Sequence, residues 1–184
     1  MKSIVIFASG KGSNAENIIR YFKQNSNIKI TLIVSNNKDA GVIKIAEINS
    51  IPTLLIDKIK LENLAIEWKE KKIDLIVLAG FLWQIPDSLI KAFSNKIINI
   101  HPSLLPKYGG KGMYGKAVYS AVLQNKEQQS GITIHFVNEQ YDEGKIILQA
   151  ICNVDEKETI ETLAKKMAEI EHQYLPQVIE KLLQ

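Results

Sequence analysis

Short apolar runs alternate with segments of helical periodicity along most of the chain, and this alternation constrains the fold more than any other feature. Strands are predicted near residues 3–8, 29–34, 52–56, 74–79 and 96–100. Helices are predicted near residues 14–24, 41–49, 61–72 and 87–94. Because the first four strands lack an alternation of apolar and polar residues, we expect both of their faces to be buried. The pattern is typical of an α/β fold, a doubly wound and mostly parallel sheet of the Rossmann-like kind.

The second half of the chain departs from this rhythm. Two apolar runs, 131–137 and 145–154, are separated by a short polar turn, which predicts antiparallel strand pairing near the C-terminus. A long helix is predicted from residue 159 onwards. With 184 residues and neither a repeat nor a long linker, the chain is predicted to form a single domain, residues 1–184.

Composition and charge exclude several classes of partner. The net charge is only +3 and Arg20 is the sole arginine, so we expect no nucleic-acid partner, because such proteins use clustered arginines. The N-terminus enters a strand pattern without a basic and apolar leader. No apolar run approaches the ~20 residues of a spanning helix, so we expect a cytoplasmic protein with no membrane partner. Cys152 is the only cysteine, which excludes an intramolecular disulfide and thiol-rich metal sites and favours a small core residue.

The segment after the first strand is rich in small residues where a doubly wound sheet binds anions. Gly10 and Gly12 permit a close approach of the backbone to a ligand, and the following helix directs free N–H groups at it. Ser13 and Glu16 have the spacing of a capping box, which predicts that the helix begins there. A tight turn with its own cap and no ligand is the alternative interpretation.

The same segment matches the dinucleotide fingerprint G-x-G-x-x-A. That interpretation requires an acidic residue at the end of the second strand, to hold ribose hydroxyls. The sequence has Ser35-Asn36-Asn37 at this place, and Asp39 follows late. A phosphate monoester is therefore favoured over a nicotinamide cofactor.

Asn99 and His101 are two residues apart at the end of a predicted strand, so their side chains project to one face. Pro102 ends the strand and places His101 at the rim of the sheet, where ligands collect. An amide donor beside an imidazole is suited to stabilise an oxyanion, and the imidazole can also move protons. A histidine with a purely structural role remains the alternative at this stage.

Several motifs in one order carry a resemblance to a known family. Residues Asn99–Pro106 read N-I-H-P-S-L-L-P, and Asp142 lies in Y-D-E-G before an apolar run. Together with Gly12-Ser13-Asn14, Leu78–Phe81 and Ile134–Val137, the chain resembles the folate-dependent formyltransferases over essentially its whole length. The length and the single arginine are most similar to members that formylate glycinamide ribonucleotide, a small phosphorylated amine of purine synthesis.

The resemblance implies a reaction and a catalytic set. The acceptor amine would attack the formyl carbon of 10-formyltetrahydrofolate, which serves as cosubstrate, and no metal is expected. Asn99 and a protonated His101 would hold the oxyanion. Asp142 would favour the imidazolium and assist proton transfer. His135 would support these groups from a neighbouring strand, or it would be a buried structural histidine.

The resemblance also implies where the acceptor binds. Gly12, Ser13 and Asn14 would hold its phosphate through backbone N–H groups, and Glu171 would meet its ribose. On a helix phased by the neighbouring apolar residues, Glu171 falls within the apolar stripe, where a carboxylate requires a polar partner or a ligand. A kink at Pro176 that returns Glu171 to the surface is the alternative.

Two loops are implied as the binding site for the folate. They comprise Leu82, Trp83, Gln84 and Ile85, and Asn138, Glu139, Gln140, Tyr141 and Asp142, with Asn99 beside them. Leu82-Trp83 stands where the family commonly has Met-Arg, so Trp83 either stacks on the folate or shields an edge. The glycine-rich loop 107–115 would be a mobile lid over the folate, and Lys58 or Lys60 would meet the glutamate tail.

Three other functions remain open from the sequence. The chain could formylate another sugar-phosphate or nucleotide-sugar amine, or bind a phosphorylated metabolite without catalysis. A nicotinamide-dependent oxidoreductase is the third and is disfavoured by Ser35-Asn36-Asn37. A monomer and a homodimer are both compatible with the sequence.

Overall fold

A computed structural model describes all residues, 1–184, and its centre is one seven-stranded sheet with strand order β3-β2-β1-β4-β5-β6-β7. The strands are β1 Lys2–Phe7, β2 Ile28–Ser35, β3 Thr53–Leu55, β4 Leu75–Leu78, β5 Ile97–His101, β6 Gln129–Phe136 and β7 Ile146–Asn153. The helices are α1 Ser13–Phe22, α2 Gly41–Ile48, α3 Lys58–Glu67, α4 Asp87–Ala92, α5 Lys116–Gln124 and α6 Ile160–Leu183. β1 to β5 are parallel, whereas β6 pairs antiparallel with β5 and β7. The predicted doubly wound α/β fold is confirmed.

Helices cover both faces of the sheet, which explains the continuous apolar runs of the central strands. In β1, Ile4 and Ile6 pack into the core cluster that includes buried residues of α1, α2, α5 and α6. Val5 and Phe7 point to the opposite face and pack with Trp68 and residues of α3 and α4. Because successive side chains of a strand alternate between faces, a strand buried on both sides is apolar at every position.

Two elements differ from the sequence prediction. β3 lies at the edge of the sheet with Thr53 and Leu55 exposed, because only β2 pairs with it; the expectation of burial on both faces was wrong for this strand. Helix α5 was not predicted, since the glycine-rich loop before it hides the start of its pattern. It buries Val118 and Val122, one turn apart, against the core.

Helix boundaries depend on caps that the sequence indicated only in part. α3 begins earlier than predicted because the side chain of Asp57 accepts a hydrogen bond from the backbone of Lys60. No capping box forms at Ser13: Gly12 is the N-cap residue of α1, with φ of 83°, and no side chain caps the helix. None of the helices is long and apolar enough to cross a membrane.

Candidate active site

Strand β5 and the loop between β6 and β7 bring Asn99, His101 and Asp142 together. His101 Nδ1 lies 3.5 Å from Asp142 Oδ2, and Asn99 Nδ2 lies 3.4 Å from Asp142 Oδ1. Asn99 and His101 share a face of β5, and Ile98 and Ile100 between and before them are buried on the other face. An amide, an imidazole and a carboxylate therefore meet at the end of a central strand, although the third comes from a distant loop.

The ring of His101 is held by the backbone. Its Nε2 lies 2.7 Å from the carbonyl oxygen of Tyr108, and because a carbonyl only accepts, Nε2 carries a proton. Burial lowers the pKa of His101, against the opposing influence of the Asp142 carboxylate and the Tyr108 carbonyl. Asp142 thus favours the imidazolium, as expected, although desolvation outweighs it and the net pKa of His101 is lowered in the free protein.

His135 completes this group on β6. Its Nδ1 donates to the carbonyl oxygen of Phe136 at 2.8 Å, so in the neutral ring Nε2 is an acceptor. Asn99 Nδ2 donates to that nitrogen at 3.2 Å, and Asp142 Oδ1 lies 3.7 Å from it. Both hydrogens of the Asn99 amide are thus directed at neighbours over long hydrogen bonds.

Asp142 is the centre of the hydrogen-bond network. Its backbone is in the left-handed region, with φ of 58°, which an aspartate tolerates better than most residues. The backbone N–H of Gly110 donates to Asp142 Oδ2 at 2.9 Å. Burial acts to raise the pKa of Asp142, but the rings of His135 and His101 and the Gly110 N–H together hold it below its ordinary value. The carboxylate is ionised at neutral pH.

A cavity of about 520 Å³ opens beside these residues. It extends from Asn99, His101 and Asp142 to Asn14, in the first turn of α1, and Glu171, in α6. Its volume lies within the usual range of small-molecule sites. Gly12 and Ser13, which were predicted to bind phosphate together with Asn14, do not line it.

The far end of this cavity contains a direct contact between two residues predicted to bind the acceptor. Asn14 Nδ2 donates to Glu171 Oε2 at 2.7 Å, and the buried Oδ1 of Asn14 has no partner. Burial raises the pKa of Glu171, and the Asn14 hydrogen bond opposes this only in part. α6 is continuous through Pro176, so the alternative of a surface Glu171 is wrong.

Tyr119 of α5 lines the same end and was not identified from the sequence. Burial, followed by the charge of Glu171, raises the pKa of its hydroxyl. Thr133 is a second residue that was not identified from the sequence, and it supports the site rather than lining the cavity. It is fully buried, accepts from Leu105 N and Gln149 Nε2 at 3.0 Å each, and donates to Ser103 O at 2.7 Å. These bonds hold the chain that follows His101.

The residues predicted to hold the folate surround a second, smaller cavity of about 80 Å³. Eight of the predicted side chains and Asn99 line it: Leu82, Trp83, Gln84, Ile85, Asn99, Asn138, Gln140, Tyr141 and Asp142. Glu139 does not line the cavity, but its carbonyl oxygen accepts from Gln84 Nε2 at 3.1 Å. This contact joins the two loops, and the cavity between them is smaller than most ligand sites.

Trp83 has a cation on its face. Lys58 Nζ lies 4.2 Å from the centroid of the Trp83 ring, and the ring of Phe81 meets Trp83 edge to face at 6.2 Å. The structure thus places one of the two candidate lysines at the rim of the smaller cavity. Lys60 contributes its backbone N–H to the cap of α3.

The glycine-rich loop lies along the larger cavity. Gly110, Lys111, Gly112, Met113, Tyr114 and Gly115 line that cavity and not the smaller one. The loop therefore borders a cavity that contains Asn14 and Glu171 as well as Leu82, Asn99, Tyr141 and Asp142, and its role as a lid over the folate stays a prediction. Backbone groups of this loop, the Tyr108 carbonyl and the Gly110 N–H, hold the catalytic candidates, and only the unusual density of glycine signalled it.

The loops beyond β1, β2 and β4 are tied together by short polar side chains. Ser9 Oγ donates to Asn36 Oδ1 at 2.6 Å and accepts from the backbone of Leu82 at 3.1 Å. The place where a dinucleotide site needs a carboxylate is thus occupied by an amide that is already bonded. No group of three or more histidine, cysteine, aspartate or glutamate side chains is arranged to hold a metal ion.

A family model described as formyl transferase matches residues 2–179. A protein from Bacillus subtilis (strain 168) named phosphoribosylglycinamide formyltransferase is 38% identical over 191 residues, which cover 100% of this chain and 95% of that protein. A chloroplastic phosphoribosylglycinamide formyltransferase from Arabidopsis thaliana is 41% identical over 97% of this chain. The chain spans 64% of the length of that plant relative and 61% of one from Vigna unguiculata.

Solved structures agree with these relatives. The crystal structure of phosphoribosylglycinamide formyltransferase from Bacillus halodurans superposes with a TM-score of 0.88 at 33% identity, covering 99% of this chain and 95% of the other. The enzyme of the same name from Anaplasma phagocytophilum has a TM-score of 0.88 at 31% identity, covering 98% of this chain and 86% of the other.

Proposed function

This chain belongs to the formyl transferase family, and from that premise we propose that it transfers the formyl group of 10-formyltetrahydrofolate to the amine of glycinamide ribonucleotide, in purine biosynthesis. The observation that carries the proposal is the meeting of Asn99, His101 and Asp142 on a cavity that also reaches Asn14 and Glu171. Reacting groups and groups suited to a phosphorylated sugar thus share one cavity.

Asn99 would stabilise the negative charge that develops on the formyl oxygen when the acceptor amine attacks. His101 would contribute when its Nδ1 takes up a proton, because its Nε2–H is already donated to the Tyr108 carbonyl. The Asn99 amide donates over 3.2 Å and 3.4 Å in the free protein. The longer bond, to the Asp142 carboxylate, is weak because of its length, so exchanging it for a shorter bond to the developing anionic oxygen costs little. His135 favours this by holding the other hydrogen of the amide in place.

Asp142 would act on protons. It is ionised in the free protein, and its carboxylate lies 3.5 Å from His101 Nδ1. The amine becomes acidic as it attacks, and the ionised Asp142 carboxylate, which lines the cavity, would take the proton. The same proton then passes to the nitrogen of the leaving folate, so that the carboxylate is restored and atoms balance.

The acceptor would lie along the larger cavity. The start of α1 has no side-chain cap, so its first N–H groups, at Gly12, Ser13 and Asn14, are free for the phosphate. Glu171 would accept from ribose hydroxyls through the carboxylate oxygen that Asn14 does not bind. A hydroxyl donor would also satisfy the unpartnered Oδ1 of Asn14.

The folate would enter through the smaller cavity, between the loops 82–85 and 138–142. At about 80 Å³ this cavity is too small for a bicyclic ring system as it stands. Entry therefore requires the hydrogen bond from Gln84 to the Glu139 carbonyl to break. The Glu139 carbonyl and the Gln84 side-chain amide released by that step are then available to the polar edge of the ring.

A direct assay tests the proposal. The protein is mixed with 10-formyltetrahydrofolate and glycinamide ribonucleotide, and tetrahydrofolate release is followed by absorbance, with Asn99→Ala as the inactive control. Formation of the formylated ribonucleotide is verified by mass. No turnover of this pair, with a properly folded protein, would contradict the proposal.

One rival within the same chemistry is a formyltransferase for another sugar-phosphate or nucleotide-sugar amine. The cavity of about 520 Å³ accommodates a small ribonucleotide. Competition between glycinamide ribonucleotide and a nucleotide-linked amino sugar in the same assay separates the two.

Two further alternatives have their own tests. Titration with NADH, followed by fluorescence, tests the hypothesis of a nicotinamide-dependent oxidoreductase. Analytical sedimentation decides between a monomer and a homodimer.

A further inference from the structure

The larger cavity contains a single lysine or arginine. Lys111 is the only such residue in its lining, whereas Asp142 and Glu171 contribute two carboxyl groups. A phosphate monoester carries about −1.5 to −2 charges at neutral pH. Its entry beside these carboxyl groups would be opposed electrostatically unless a cation accompanied it, and the cavity lining offers one.

The charge of Lys111 has no partner within the chain. Its side chain is exposed, and it forms none of the ion pairs in the structure. Lys107, four residues earlier, is by contrast bound to Glu127 at 2.9 Å. An exposed lysine without a partner is ordinary on a protein surface, but this one borders a cavity that contains acidic groups and reacting groups.

Lys111 is flanked by two glycines with a left-handed backbone, one of which is hydrogen-bonded to Asp142. Gly110 and Gly112 have φ of 94° and 88°, and no atom lies within 4 Å of the position of a Cβ at either one. The Gly110 N–H is fixed to Asp142 Oδ2 at 2.9 Å. The Gly110 bond therefore holds the backbone of Lys111 next to the reacting carboxylate, while its side chain is exposed at the cavity.

The first turn of α1 offers a binding site for the phosphate itself. Asn14 lines the cavity with Lys111, and the helix begins without a side-chain cap. The buried Oδ1 of Asn14 lacks a partner and the first N–H groups of the helix are free, so this end is incomplete without a ligand. Free N–H groups alone supply only partial positive charge.

We infer that Lys111 supplies the cation that binds the phosphate of the acceptor, closing the glycine-rich loop against the first turn of α1. This inference rests on the proposed function, because it takes the acceptor to be a phosphorylated amine. The loop then distinguishes a phosphorylated acceptor from its dephosphorylated form, and the residue next to Lys111 transmits the contact to Asp142.

The test compares Lys111→Met with Lys116→Met, a matched control. Lys116 is also exposed and without an ion pair, and it lies five positions further along but outside the cavity lining. We expect Lys111→Met to raise the KM for glycinamide ribonucleotide roughly 10- to 100-fold, the loss typical of a charge-assisted hydrogen bond. The KM for 10-formyltetrahydrofolate and the KM for the dephosphorylated glycinamide riboside should be unchanged, and Lys111→Arg should restore most of the affinity.

A second measurement does not depend on turnover. Inorganic phosphate is titrated by calorimetry into the wild-type protein and the two variants, and binding should weaken in Lys111→Met only. If formyl transfer fails and this pattern holds, the proposed function falls while the phosphate contact stands. Equal KM values for the two methionine variants, equal phosphate binding by them, or a loss confined to the folate would each overturn the inference.

Discussion

The side-chain amide of Asn14 donates a 2.7 Å hydrogen bond to the carboxylate of Glu171, which lies 157 positions later in the chain. The contact joins the first turn of α1 to the middle of α6. A second bond nearby, from Asn17 Nδ2 to the carbonyl oxygen of His172 at 2.7 Å, fixes the same two helices. The two residues proposed to meet the acceptor therefore position each other before it arrives.

Glu171→Gln should make the protein more stable and its acceptor binding weaker. Glutamine keeps an oxygen for the Asn14 amide but removes a buried charge. At a pH above the folded pKa of Glu171, we expect the free energy of unfolding to rise by about 1.4 kcal/mol for each unit of the elevation of that pKa. The KM for the acceptor should rise about tenfold, because a hydroxyl bonds more weakly to an amide than to a carboxylate.

The pH dependence of this difference provides its control. Because the folded pKa of Glu171 is raised from 4.5, its contribution to stability is present below that pH and is lost as the pH rises through the folded pKa. Urea titrations at several pH values should show the variant and the wild type converging in acid. A wild type with a higher free energy of unfolding than the variant at pH 8 would contradict the argument that burial destabilises the Glu171 charge.

Asn99→Ala should lower kcat by roughly 10²- to 10³-fold, the usual loss for one oxyanion donor. The two bonds that this removes are long, so the free energy of unfolding should fall by no more than about 1 kcal/mol. Steady-state kinetics and urea titration on the same preparation measure both quantities. A variant that turned over at the wild-type rate would remove Asn99 from the mechanism.

Asp142→Asn should lower the pKa of His101 further. In the wild type, burial lowers that pKa below its ordinary 6.5, and the Asp142 carboxylate opposes the effect. With an amide at position 142, only the Tyr108 carbonyl still favours the charged ring. NMR titration of the ring protons, assigned with a His135→Asn variant, reads the change directly, and an upward shift would be inconsistent with the geometry.

Gly12→Ala should destabilise the protein more than Gly112→Ala does. Both glycines have a left-handed backbone, with φ of 83° and 88°, which costs other residues about 1–3 kcal/mol. At Gly12 the added Cβ would also meet Val42 Cβ at 2.8 Å, whereas at Gly112 no atom lies within 4 Å. Urea denaturation of the two variants isolates the cost of the contact with Val42, and an equal loss of unfolding free energy in both would rule out that cost.

Thr133→Val should cost about 3 kcal/mol of unfolding free energy, because it leaves the buried Ser103 carbonyl and the buried Leu105 N–H without the hydroxyl as partner. Gln149 Nε2 loses one bond but still donates to the Leu105 carbonyl. Thr133→Ser retains the hydroxyl and should lose much less. The measurement is again denaturation by urea. Since these bonds hold the segment after His101, kcat should fall in the valine variant and stay near the wild-type value in the serine variant.

The sequence predicted most of the sheet because each central strand is apolar on both faces, a pattern that few other environments produce. It failed at β3, where pairing on a single side makes burial incomplete, and at α5, whose start lies behind glycines. A strand such as β3 has the same residue types as a buried one, and its neighbours in the sheet decide its exposure.

The sequence could predict only those parts of the candidate site that are formed by side chains. Asn99 and His101 follow from the two-residue period of β5, whereas Asp142 followed from resemblance alone, because a loop residue has no period. The Tyr108 carbonyl and the Gly110 N–H had no signal, since every residue has these groups. Only the folded chain shows which of them are turned toward the site.

These two backbone groups have opposite effects on the acidities of the groups they hold. The Tyr108 carbonyl favours the protonated ring of His101, and the Gly110 N–H favours the ionised form of Asp142. Were residues 108–110 to withdraw, the imidazole would bind a proton less readily and the carboxylate more readily. A single stretch of main chain thus biases a proton toward the imidazole and away from the carboxylate, and moving it would weaken that bias.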